Sequence, residues 1–128
     1  MAYISTDDIK ANIADGFNLQ PYLEEADSEI IDVAEQVGVY NIDDIKTNPL
    51  HYKIKRYAVT FVLYRLCQDK MGTNNVALDE LEKYTMLFGI YKKEYEGLRT
   101  EITSQMVTGN VNEMRDRATI GTGLIFRS

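Results

Sequence analysis

Apolar and polar positions along this chain alternate with helical rather than strand periodicity. Leu23, Ala26, Ile30, Val33, Ala34 and Val37 fall three or four residues apart, with Glu24, Glu25, Asp32 and Glu35 on other faces. This predicts an amphipathic helix that is acidic on its outer side. Pro21 suits its first turn, where no amide donor is needed, and Gly38 suits a left-handed stop. Before it, Ser5-Thr6-Asp7-Asp8 reads as a helix start, with hydroxyl caps and acids near the exposed amides. A short first helix is expected to run to about Ala14, closed by Asp15-Gly16.

Asn41 to Asn48 is a polar connector with at most one helical turn around Ile42 and Ile45. Asn48-Pro49 then resembles a cap followed by proline at the first helical position, which predicts a third helix reaching about Met71, before Gly72. Between Tyr57 and Leu66 only Thr60 and Arg65 interrupt its apolar surface, so it should be the central, most enclosed element. Arg65 therefore needs a partner. Asp69, four residues on, can supply it, as could a carboxylate on another helix or subunit.

A long helix is expected from about Asp79 to Met106, with Asp79 and Glu82 as an acidic version of a capping box. Leu81, Tyr84, Phe88, Tyr91, Tyr95, Leu98 and Ile102 follow the roughly 3.5-residue repeat of a coiled-coil seam, and a narrow apolar stripe must pack along another helix. We read these seven residues as a subunit interface. Gly89 and Gly97 lie inside the same helix, where close approach of another backbone or a slight bend would account for them. After Thr108-Gly109 the pattern breaks, which divides the chain into a helical domain, 1–108, and an extended tail, 109–128. Ile120, Leu124, Ile125 and Phe126 of the tail are apolar without a core of their own, so the tail must dock. It either folds back on its own domain or adds itself as an extended segment to a partner, with Arg115, Arg117 and Arg127 as candidate anchors. The fold class that results is all-α, a small bundle of about four helices with one long C-terminal helix and an extended tail.

Composition narrows the chemistry. The chain of 128 residues has a net charge of −6. Residues 1–50 hold eleven acids against Lys10 and Lys46, a net of −9, whereas residues 51–128 are net +3. An acidic half opposes nonspecific capture of nucleic acid, which requires clustered Lys and Arg. The single histidine, His51, and single cysteine, Cys67, make neither a nitrogen–sulfur metal set nor a disulfide. No phosphate-cradling glycine loop precedes a helix, and Asp7-Asp8 and Asp43-Asp44 are adjacent pairs whose side chains diverge. No catalytic residue, metal or cofactor is expected. The opening residues lack the basic-then-apolar organisation of a secretory signal and no run is long enough to span a bilayer, so a soluble protein made in the cytoplasm without a membrane partner is expected.

The order of these features resembles the head-tail connector (adaptor, or head-completion) proteins of tailed bacteriophages. The similarity lies in Tyr3-Ile4-Ser5-Thr6-Asp7-Asp8-Ile9, in Tyr22-Leu23-Glu24-Glu25-Ala26-Asp27-Ser28-Glu29-Ile30-Ile31-Asp32, and in Lys55-Arg56-Tyr57 through Tyr64-Arg65-Leu66-Cys67-Gln68-Asp69. It implies a structural virion protein of the phage neck, made in the host cytoplasm and typically present in twelve copies. Such a homo-oligomeric ring binds the portal protein, meets a tail or stopper protein, and lets double-stranded DNA pass without specific binding. Glu24, Glu25, Asp32 and Glu35 are then candidate channel-facing acids. Two alternatives remain: another neck or tail-completion subunit, and a cytoplasmic helical regulator or interaction protein that dimerises through its long helix.

Overall fold

In a computed structural model the described residues are 3–10, 16–72 and 78–109, and they form an all-α bundle with no strand among them. The α-helices are α1 (Gln20–Gln36), α2 (Tyr52–Met71), α3 (Leu78–Glu101) and α4 (Ser104–Thr108), with single 3-10 turns at Thr6–Asp8 and Ile42–Asp44. The tail's candidate anchors Arg115, Arg117, Ile120, Leu124, Ile125, Phe126 and Arg127 lie outside the described residues, as does the start of the loop after Gly72.

Helix α2 lies at the centre, as its near-continuous apolar surface predicts. Ile54, Tyr57, Ala58, Val62 and Cys67 are fully enclosed, and Thr60 is buried with them. Helix α1 lays Leu23, Ala26, Ile30, Val33 and Ala34 on this core. It ends where expected: Gly38 takes φ +91°, which lets Val39 N–H reach the Ala34 carbonyl at 2.8 Å. Helix α3 runs back antiparallel along α2, stapled by Lys53–Glu101 at 3.0 Å and Arg56–Glu94 at 2.9 Å.

Three predicted boundaries are corrected, two of them for the same cause. Over residues 3–10 the start of the expected first helix is one 3-10 turn, because Ile9 leaves it in an extended conformation (φ −93°, ψ 101°). Its expected end at Ala14 and stop at Asp15-Gly16 depend on residues 11–15, which lie outside the described residues. Ile4 and Ile9 both enter the core. Residues five apart lie about 140° from each other on an α-helix, so burying both requires the chain to leave helical geometry. The third helix starts at Tyr52 rather than after Asn48: Leu50 is drawn into the core first, Asn48–Pro49 is a cis peptide outside the helix, and His51 is the cap. The long helix stops at Glu101 instead of Met106. Ile102 and Val107, again five apart, are both buried, and Thr103 restarts the chain as α4 by accepting Met106 N–H on Oγ1 at 3.3 Å. Lys46 N–H binds the Val107 carbonyl at 2.8 Å and ties α4 to the connector. Asp79 lies inside the first turn of α3, which begins at Leu78, so it is not the cap that the expected pairing with Glu82 required.

His51 caps α2 by accepting Lys53 N–H on Nδ1 at 3.1 Å, which requires an unprotonated nitrogen there. Burial, and secondarily the Lys53 charge, hold its pKa below the ordinary 6.5. A histidine depressed on folding contributes stability that is complete above the unfolded value and is lost as pH falls through the folded one. The melting temperature should therefore drop as pH falls below 6.5, before the carboxylates titrate. His51→Asp, a cap without that titration, should remove this part of the profile, measured by thermal denaturation from pH 7.5 to 5 in steps of about half a unit.

Candidate functional site

The chemistry-bearing side chains of α1, α2 and α3 are mostly engaged with one another. Tyr57 OH, at the buried centre, donates to Glu29 Oε1 at 2.7 Å. Arg99 Nη1 donates to the same carboxylate oxygen at 3.0 Å and to Tyr57 OH at 2.8 Å, while its Nε reaches Gln36 Oε1 at 3.1 Å. Burial, reinforced by Glu29, pushes the Tyr57 hydroxyl far above the usual tyrosine range, so it remains a proton donor. Nothing in the sequence singled out Arg99. It sits beside the seam between Tyr95 and Ile102, and the only signal was an arginine bordering an otherwise apolar stripe.

Arg65 has both kinds of partner that its position demanded. Its Nε donates to Glu25 on α1 at 2.8 Å, and its Nη1 lies 3.4 Å from Asp69, one turn on. Gln68 also accepts from it. Asp69 in turn accepts from Tyr22 OH at 2.6 Å, and burial followed by that bond pushes Tyr22 up to about 12. These contacts close α1 onto the second half of α2.

Within the chain the middle of the seam meets α2, and Leu98 and Ile102 join the core. Tyr64 stacks with Tyr95 at 4.9 Å between ring centroids and meets Phe88 at 5.0 Å, while Tyr95 also contacts Tyr57 and Phe61. Leu98 and Ile102 are buried, whereas Leu81, Tyr84, Phe88, Tyr91 and Tyr95 keep part of their surface in solvent. The other side of α3 is apolar in its middle: Met86 is 61 % and Ile90 52 % exposed. Gly89 and Gly97 are also exposed, and a Cβ built on either would meet nothing within 4 Å. Each costs about 1 kcal/mol of helix stability relative to alanine, and among the described residues no close approach of another element requires a glycine at either position.

Of the candidate channel acids, Glu24, Asp32 and Glu35 share one exposed stripe of α1 and have no ion-pair partner among the described residues. Glu25 is set apart, being held by Arg65. Helix α1 carries six acids and no basic residue. A groove of about 490 Å³ between the start of α2 and the end of α3 is lined by Tyr52, Lys53, Arg56, Lys93, Glu94 and Gly97 among others. Its Lys53 and Arg56 are already paired with Glu101 and Glu94, which leaves Lys93 as the one lining cation without an ion pair among the described residues. No group of three His, Cys, Asp or Glu side chains suited to a metal occurs among the described residues, and no described helix is long and apolar enough to cross a membrane.

Comparison with protein-family models, with curated proteins and with solved structures gives no match for this chain.

Cys67 is fully enclosed, and burial pushes its thiol up to about 11. A thiolate-selective reagent such as a chromogenic aromatic disulfide should leave the folded chain unlabelled at pH 8 and titrate one thiol per chain after denaturation. Rapid labelling of the native protein would show that α2 opens locally.

Proposed function

We propose that the chain is a structural subunit of the phage neck, forming a ring that joins portal to tail and extends the DNA channel. The observation that carries this reading is the α1 stripe of Glu24, Asp32 and Glu35 on a helix without a single base. A protein that must sit beside DNA without holding it needs carboxylates facing the phosphates and no clustered cations. Repeated around a ring, such a stripe makes a wall of one sign that repels the backbone and lets it slide. The resemblance in the order of elements, from Tyr3 through the α2 segment Lys55–Asp69, supports the same reading. So does the partial exposure of the tyrosine seam, which leaves apolar surface for a neighbour.

The test is electron microscopy of the whole chain mixed with the portal protein of the same virus. A collar added beneath the portal is the expected result, and portal rings without added density would contradict the reading. With Glu24, Asp32 and Glu35 changed together to Lys, the collar should still assemble, since all three are exposed, but DNA release through it should slow. Unchanged genome retention and ejection would remove α1 from the channel wall.

A further inference from the structure

We infer that two copies of this chain pair in solution through the outer face of α3, antiparallel about a two-fold axis near Met86 and Gly89. That face is the one opposite the tyrosine seam, and its middle is the exposed pair Met86 and Ile90. Gly89 lies between them, open to solvent, in a helical conformation that does not require glycine and beside no neighbour in its own chain. Its missing side chain leaves a hollow where the Met86 side chain of a second copy fits, so both helices approach closely.

Charge selects the occupant and its direction. Glu94, Arg99 and Glu101 are spent on α2 and α1. What remains on the surface of α3 is acidic in its first half, Asp79, Glu80 and Glu82 against Lys83, and basic in its second, Lys92 and Lys93 against Glu96. Such a face complements itself only when a second copy lies head to tail along it. Around an axis at Met86 and Gly89, Glu82 of each copy comes level with Lys93 of the other, and both fall on the same flank of the helix. Among the described residues neither has an ion-pair partner inside the chain. By symmetry the contact is made twice.

This pairing is independent of the collar reading. A two-fold contact closes on itself and cannot link successive subunits of a ring, so it describes the chain outside an assembly. Sedimentation equilibrium of the full chain alone, without portal, tests it. The expected mass is twice the 14.7 kDa of one chain. Lys93→Glu and Glu82→Lys, both at exposed positions, should each weaken the dimer roughly tenfold or more, because each turns two attractions into two repulsions. An equimolar mixture of the two variants should recover the affinity, since every 82–93 contact is again between opposite charges. A single-chain mass at all concentrations, a larger closed assembly, or a dimer whose affinity ignores Lys93→Glu would each overturn the inference.

Discussion

The contact on which the arrangement of helices depends is the junction of Glu29, Tyr57 and Arg99. Helices α1 and α3 lie against different parts of α2, and among the described residues the side-chain hydrogen bonds between them all come from Arg99. A charged pair only about a quarter exposed, completed by a buried tyrosine hydroxyl, is worth more than a surface ion pair and is costly to leave half-made. It fixes the end of α3 against α1, and with Leu98, Ile102 and Val107 it converts that end into part of the core. The first half of α3 has no such anchor on α1. There its rings meet α2, whose Lys70 ammonium lies 5.9 Å from the Tyr84 ring centroid, and its outer side is exposed at Met86 and Ile90.

Much of this was legible from local pattern. The apolar spacing of α1, the enclosed character of α2, the glycine stop at Gly38 and the Arg65–Asp69 pair all follow from rules that involve a few neighbouring residues. Two of the errors share a different origin. At Ile4 and Ile9, and at Ile102 and Val107, the core draws in pairs of residues five apart that one helix face cannot bury together, and the chain leaves α-helical geometry between them. The cap signal at Ser5 was a real turn former, but local propensity yields to burial of an isoleucine, worth about 1.5–3 kcal/mol. His51 as a cap was outside the usual set of cap residues, and its role depends on a ring nitrogen held unprotonated by its surroundings.

The seam on α3 shows why periodicity speaks more clearly about packing than about partners. A stripe of Tyr84, Phe88, Tyr91 and Tyr95 states that a helix covers it, not whose helix does so. Within the chain that helix is α2, and the aromatic rings of the two interleave. What the stripe cannot report is the opposite face, where Met86, Gly89, Ile90 and Gly97 share one side of the helix but supply too few apolar side chains to read as a stripe. The acidic face of α1 was visible in outline. Its division into three unpaired carboxylates and one held by Arg65 required the fold, because that arginine lies forty residues away in sequence.

The central claim is that Glu29 and Arg99, joined through Tyr57, hold the end of α3 to α1 across the core helix. The most direct measurement is a double-mutant cycle with Glu29→Gln and Arg99→Met, read as unfolding free energies in urea. A coupling of about 1 kcal/mol or more, in the stabilising direction, is the expected result. Two effects that add to within about 0.3 kcal/mol would contradict it, and would mean that α3 is held by its packing on α2 alone.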